Sequence, residues 1–362
     1  MTTRRPIVVD CDTGIDDSLA LLYLLASDDA ELIAITCCSG NVEAAQVARN
    51  NLGLLDLVGR TQIEVALGRT VPLVRPLEIT PETHGPLGVG YAELPPGRRP
   101  VSERHAADLM ADEARRRPGL LTLLCIGPLT NLAVALEREP TLPRLLRRLV
   151  IMAGAFRVPG NTTPVSEWNV HCDPDAAHAV LAAWSAAIQA DPGVPRILAL
   201  GLDVTERAVI RPDDVVALAR RAGSRPDDTI ALGRGEDPMR TSRSVASNPV
   251  VRFVADALRF YMEFHATYDG FYGAFIHDPL AAAAALDETL VQTQALAVDV
   301  ETGGELATGQ TIADFRGLWH RPANVDVALS ADSEEFMRRL VERVGTLAER
   351  VGVAAGPSDV AP

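Results

Sequence analysis

Val8-Val9-Asp10-Cys11-Asp12-Thr13-Gly14-Ile15-Asp16-Asp17 is the stretch on which the fold turns. It places four carboxylates within eight residues, behind the apolar run Ile7 to Val9 and ahead of Leu19, Leu21, Leu22, Leu24 and Leu25. The first run reads as a short buried strand and the second recurs with helical spacing, so residues 10–17 form a strand-to-helix turn. In open α/β sheets ligands bind at such turns. The dipole of the first helical turn would favour Asp16 and Asp17 by about 0.3–1 kcal/mol, too little to neutralise four crowded carboxylates. A bound divalent cation can.

Working outward, strand-like runs at Leu32 to Thr36, Ile63 to Ala66, Leu120 to Cys125, Leu149 to Met152 and Ile197 to Leu200 alternate with helical patterns. The helices are read at Val42 to Leu57, Ala106 to Arg116, from Pro128 onward, Asp213 to Arg221, Val250 to His265 and after Pro279. Further β-like runs at Leu290 to Val300 and Val325 to Leu329 precede a helix over Glu334 to Val344. This order predicts an α/β fold: a single open, mostly parallel sheet flanked by helices, Rossmann-like at its core, with the site at the C-terminal ends of the strands. The run Ala281 to Ala285 predicts a helix packed closely on the sheet. Pro72 to Pro100 and Ser224 to Asn248 resist assignment and are expected to be lids or insertions. One catalytic domain is expected over residues 1–353, with 354–362 a frayed tail.

The 362 residues are 47% hydrophobic, enough for a sizeable core. A net charge of −14 argues against nucleic acid and anionic membrane as partners and favours a small neutral or cationic substrate. Five cysteines without CxxC spacing suggest neither a disulfide framework nor a thiolate zinc site. With no signal-peptide pattern and no apolar run near membrane-spanning length, the expectation is a cytoplasmic protein.

Oxygen-rich groups select hard cations, and Ca²⁺ takes six to eight oxygens, more than residues 10–17 supply. Candidates for the remainder are His277-Asp278-Pro279, where an Asp opens a helix beside an imidazole, and Cys125-Ile126-Gly127-Pro128-Leu129-Thr130-Asn131, which leaves carbonyls free at a strand tip. Asn161, Glu167 and Asn169 follow another strand end and offer donors and acceptors for several sugar hydroxyls.

DCDTGIDD, Gly40-Asn41, Gly127-Pro128-Leu129-Thr130-Asn131, Met152-Ala153-Gly154-Ala155-Phe156 with Gly160-Asn161 and Glu167-Trp168-Asn169, and His277-Asp278-Pro279 together resemble the inosine-uridine-preferring nucleoside hydrolases, from about residue 5 to 348. The resemblance implies a nucleoside hydrolase-like fold and Ca²⁺-dependent hydrolysis of ribonucleosides to ribose and free base. By motif position it implies that Asp12, Asp17, Asp278 and the carbonyl of Ile126 hold the metal, with Asp10 supporting the turn from behind. Asp12 would also be the general base. Asp16 would meet the ribose 2′-hydroxyl, Asn169 the 3′-hydroxyl, and Asn161 with Glu167 the 5′-hydroxyl, while Asn41 and Met152 line the ribose pocket. His277 would protonate the leaving base, and Trp168, Trp184 and Trp319 are not expected around it. His84 would touch the base or the ribose 5′ end. The flap reads His84-Gly85-Pro86-Leu87-Gly88-Val89-Gly90 and lacks the Asp that family members often carry there, which leaves base preference open. Relatives are usually dimers or tetramers, so a homodimer or homotetramer is expected.

Cleaving a ribosyl C–N bond builds positive charge on the sugar, which an acidic pocket stabilises, and attack by water predicts inversion without a covalent intermediate. No phosphate loop is present, so nucleosides are favoured over nucleotides. Two rivals are a haloacid-dehalogenase-like phosphohydrolase, suggested by Asp10-x-Asp12 but with Thr13 out of place, and a non-catalytic calcium-dependent nucleoside- or sugar-binding protein.

Overall fold

The computed structural model describes residues 4–225, 227, 230 and 243–355. Its first half runs β1 (Arg5–Cys11), α1 (Ile15–Ala26), β2 (Ala30–Cys37), α2 (Ala44–Leu57), β3 (Glu64–Leu67), α3 (Pro81–His84), α4 (Ala106–Arg116), β4 (Thr122–Cys125), α5 (Thr130–Arg138), α6 (Leu142–Leu145) and β5 (Arg148–Met152). There follow α7 (Trp168–Cys172), α8 (Pro174–Ala190), β6 (Ile197–Leu200), α9 (Leu202–Thr205), β7 (Val209–Ile210) and α10 (Pro212–Arg221). The C-terminal part comprises α11 (Pro249–Tyr268), β8 (Ala274–Phe275), α12 (His277–Leu286), β9 (Val291–Leu296), β10 (Val298–Val300), β11 (Thr311–Ala313), β12 (Val325–Ala331) and α13 (Ser333–Ala355).

Eight strands form one sheet in the order β3-β2-β1-β4-β5-β6-β12-β9. Neighbours are parallel except β12 and the edge strand β9. The mostly parallel α/β sheet is therefore as expected. The chain steps outward from β1 to β2 and β3, then returns to place β4 on the other flank of β1, so strand order reverses between β1 and β4. Open α/β sheets bind ligands at that reversal, outside the strand carboxyl ends. Here those ends are Asp10, paired in register with Cys125, and the residues that follow each.

Both faces of the sheet are covered, which is why Ile7 to Val9 is continuously apolar rather than alternating. Ile7 and Val9 pack into one apolar core with α1, α11, α12 and α13, and Val8 into a second with α4, α5 and α8. In α12, Ala281 to Ala284 are fully buried, and their small side chains let the helix lie close against α1, β4 and β5.

Several boundaries differ from expectation. Helix α5 starts at Thr130, not at Pro128, because the Gly127-Pro128 turn is packed on Asp12: a Cβ on Gly127 would lie 2.8 Å from Asp12 Oδ1. Helix α12 begins at His277, ahead of Pro279, since a first-turn proline forfeits no intrahelical hydrogen bond. Helix α8 is absent from the reading above, although Asp173-Pro174 marks its start; the Asp173 carboxylate accepts from Ala176 N at 3.0 Å. Helix α13 extends beyond Val344 as Leu347 and Ala348 keep the buried spacing of Phe336, Leu340 and Val344. It reaches Ala355, and residues 356–362 of the expected tail lie outside the described residues. So do 226, 228–229 and 231–242 of the second unassigned stretch. The first, 72–100, is pinned rather than loose: Leu73 N donates to Asp173, Arg75 pairs with Asp175, and Tyr91 Oη donates to Glu263. Among the described residues no helix is long and apolar enough to cross a membrane.

Candidate active site

Two helix N-termini meet above the reversal point. Asp17, third residue of α1, reaches back to accept from Gly14 N at 2.8 Å and from Asp12 N at 3.3 Å, which closes the turn on itself. Asp16, one residue earlier, faces the opening of α12, where the backbone N–H groups of His277 and Asp278 favour its charged form. Carboxylate oxygens of Asp16, Asp17 and Asp278 thereby lie within 4.8 Å of one another, all buried. Such a trio could hold a metal ion.

Asp12 stands beside this trio. Its Oδ2 accepts from Asn41 N at 2.7 Å, and its Oδ1 is buried with no partner. Gly40 and Gly127 crowd it from either side, since a Cβ on Gly40 would lie 2.1 Å from Oδ2. The Asn41 Nδ2 donates to Asp17 Oδ2 at 3.2 Å, and its Oδ1 is a second buried acceptor without a donor. Beneath them Asp10 Oδ1 accepts from Thr36 Oγ1 at 2.7 Å and Asn131 Nδ2 at 2.9 Å. Asp10 is thus fully buried under the turn and not offered as a nucleophile, contrary to what the phosphohydrolase rival requires.

Burial raises every one of these carboxyls. Asp10 is pushed up to about 7 and Asp16 to about 8, the latter also by the neighbouring Asp17 charge. Asp12 and Asp278 rise well above the carboxylate range through burial first and the other aspartates second, and Asp17 rises through burial. Among the described residues no cationic side chain stands among these buried acids, and three buried acceptors, Asp10 Oδ2, Asp12 Oδ1 and Asn41 Oδ1, lack donors, which fits a bound cation.

Above them opens a cavity of about 590 Å³. Of the residues expected at the substrate, it is lined by Asp16, Asn41, His84, Met152, Asn161, Glu167 and Asn169, and also by Ile126, His277 and Asp278. Asn169 Nδ2 donates to the carbonyls of Ile126 and Met152, both at 3.0 Å, leaving Oδ1 for a ligand. Glu167 caps α7: its carboxylate accepts from Gly154 N, Asn169 N and Val170 N. Burial nonetheless raises its carboxyl above the ordinary value. Asn161 Oδ1 accepts from Trp168 N at 3.0 Å. Trp168 lines the cavity beside Asn161, whereas Trp184 is buried in the core.

His84 ends α3 because Gly85 follows with φ +80°. Its Nδ1 accepts from Ile15 N, the first amide of α1, at 3.1 Å, so the flap caps the helix that carries Asp16 and Asp17. His277 Nδ1 lies 2.8 Å from Thr205 Oγ1. Burial holds both imidazoles down at about 3, assisted for His84 by His277 and for His277 by His265, so both rings are neutral near pH 7. Tyr261 and Tyr268, whose orientation the sequence leaves open, line the cavity with Phe264, His265 and Phe275. Phe271 and Tyr272 do not: Tyr272 Oη donates to Ile230 O. Glu206 and Asp269 also line it, and no motif marks them.

A family model described as inosine-uridine preferring nucleoside hydrolase matches residues 7–338. The chain belongs to this family. As a nucleoside hydrolase it acts on ribonucleosides. It is 35% identical over 341 residues to the pyrimidine-specific ribonucleoside hydrolase RihA of Citrobacter koseri, covering 94% of this chain and 97% of that one. RihA of an Enterobacter species is 36% identical over 346 residues, 95% of this chain and 99% of its own. The solved purine-preferring ribonucleoside hydrolase from Gardnerella vaginalis superposes with a TM-score of 0.82 at 29% identity, covering 96% of this chain and all of that one. A plant nucleoside hydrolase, PpNRh1, gives 0.80 at 28% identity over 94% and 99% of the two chains. The nucleoside hydrolase fold and activity expected from the motifs are thus established.

Proposed function

We propose that this nucleoside hydrolase splits the N-glycosidic bond of ribonucleosides with water, using Ca²⁺ held by Asp12, Asp17, Asp278 and the carbonyl of Ile126, and Asp12 as general base. The observation that carries this reading is the unpartnered, fully buried Oδ1 of Asp12, next to three more carboxylates that converge from α1 and α12. When bound, the ion supplies a Lewis acid that orients water and makes its proton easier to remove.

The protein's own groups do the rest. Asn41 N–H fixes Asp12 Oδ2, which leaves Oδ1 to take the proton of the attacking water. Asp16 accepts from the ribose 2′-hydroxyl and the Oδ1 of Asn169 from the 3′-hydroxyl. Asn161 Nδ2 donates to the 5′-hydroxyl, its Oδ1 being engaged by Trp168 N, and Glu167 receives the same hydroxyl from the other side. Met152 and Asn41 pack along the sugar, and His84 closes it from the flap. The surrounding carboxylates stabilise positive charge growing at C1′. His277, held at Nδ1 by Thr205, turns Nε2 toward the departing base and serves as its acid when the ring carries its second proton. The five cysteines are buried free thiols, which supports a reducing, cytoplasmic setting.

A ribose-release screen over purine, pyrimidine and nicotinamide ribosides, with and without chelator and with Asp12→Asn, tests this. Turnover should depend on Ca²⁺ and collapse in Asp12→Asn while the fold survives. Near-normal turnover of the variant would overturn the base assignment, and chelator-resistant turnover the metal.

A further inference from the structure

The side of the cavity built by α11 and β8 carries more charge than a neutral base needs. Its wall is aromatic: Tyr261, Phe264, Tyr268 and Phe275. Phe264 and Tyr268 lie 4.7 Å apart between ring centroids, and Tyr268 is 67% exposed, so a ring face is offered to the mouth rather than used in the core. Two carboxylates stand beside these rings, Glu206 directly after α9 and Asp269 directly after α11. Partial burial, Asp269 and Asp203 together raise the Glu206 carboxyl above its ordinary value. Among the described residues Glu206 has no ion-pair partner, the exposed Asp269 lies 4.0 Å from His265 Nε2, and none of those lining the cavity is an arginine. The chain contains no lysine at all.

A neutral heteroaromatic ring gains stacking from such a wall, but covering Glu206 without pairing it costs desolvation. A cationic ring gains from both, through its attraction to the ring faces and to the acids. We propose that the base end of the site is matched to N-ribosides whose leaving group is a pyridinium-type cation, with Glu206 and Asp269 as the residues that set the preference. This rests on the ribonucleoside-hydrolase reading above and narrows it to a substrate class. In such a substrate the C1′–N electron pair leaves with the ring nitrogen, which neutralises the ring. Water oxygen bonds to C1′, and one proton is released to solvent. The ring departs as a stable neutral molecule, whereas uracil or hypoxanthine leaves as an anion unless it is given a proton. Positive charge meanwhile passes from the ring to the ribose, toward Asp16.

The test uses the intact Ca²⁺-loaded enzyme with nicotinamide riboside, uridine and inosine, in wild type, Glu206→Gln and Asp269→Asn. The ratio of kcat/KM for nicotinamide riboside to that for uridine should fall about fivefold or more in each variant, mainly through KM. In wild type, raised salt should lower the same ratio. A ratio that stays within about twofold in both variants while uridine is cleaved overturns the proposal, as does cleavage of uridine and inosine without release of nicotinamide. No ribose from any of the three substrates overturns the hydrolase reading instead. Independently of any variant, 1-methylnicotinamide should inhibit uridine cleavage by wild type more strongly than neutral nicotinamide; equal or weaker inhibition by the cation also overturns the proposal.

Discussion

Replacing Gly40 by alanine tests directly how tightly the position of Asp12 governs the reaction. The added Cβ would lie 2.1 Å from Asp12 Oδ2, where ordinary contact begins at 3.4 Å, so the two must part by about 1.3 Å. Pro128 Cδ at 2.9 Å bars the other direction. The carboxylate therefore takes the movement, and its bond from Asn41 N is lost. Gly40 is not among the positive-φ glycines, so the effect is steric and not a backbone penalty. Displacing a catalytic group by about 1 Å costs on the order of 100-fold in rate. Losing a hydrogen bond to a charged group costs about 1.5–3 kcal/mol, a fall of a few degrees in Tm for a chain of this size. Ribose-release kinetics and scanning calorimetry read the two effects separately. Gly303→Ala is the control, since its Cβ would meet nothing closer than 3.7 Å. Activity of Gly40→Ala within about threefold of wild type would refute the reasoning.

Three further outcomes are expected. In chelator, Asp10 near 7 and Asp16 near 8 retain protons that the unfolded chain has shed, while below about pH 6.5 the depressed His84 and His277 act in the opposite direction, so stability should fall as pH rises from about 6.5 to 8 and Ca²⁺ should abolish the fall; a Tm that climbs over that window in chelator would contradict this. His277→Ala should lower kcat on uridine about 100-fold, and unchanged rates on uridine and inosine alike would remove its role at the leaving base. Asn131→Ala takes a donor from Asp10 Oδ1 and leaves Arg69 N without its acceptor, so urea unfolding should show a loss of about 2–3 kcal/mol. A loss below about 0.5 kcal/mol would show that Asp10 needs no such support.

Charge density and hydrophobic period are local properties, which is why the turn at residues 10–17 and the parallel sheet are legible in the chain itself, whereas the ribose-side roles come only through the family resemblance. Proximity across the sheet is not local. Nothing near Asp278 indicates that its carboxylate meets those of Asp16 and Asp17, nor does the His84 segment reveal that its imidazole caps α1. Glu206 and Asp269 resemble surface acids in sequence, and only the packing of α9 and α11 around the cavity gives them a ligand to face. The start of α8 illustrates the opposite case, a signal that is present in Asp173-Pro174 but weak beside stronger motifs.

The meeting of Asp16 and Asp17 with Asp278 joins the beginning of the polypeptide to its last third. A ribosome delivers the acidic turn first and Asp278 only after most of the message has been read. On the proposed metal set, a nascent chain would lack half of the clasp until α12 has been made, and C-terminal truncation products that stop short of α12 should show no turnover.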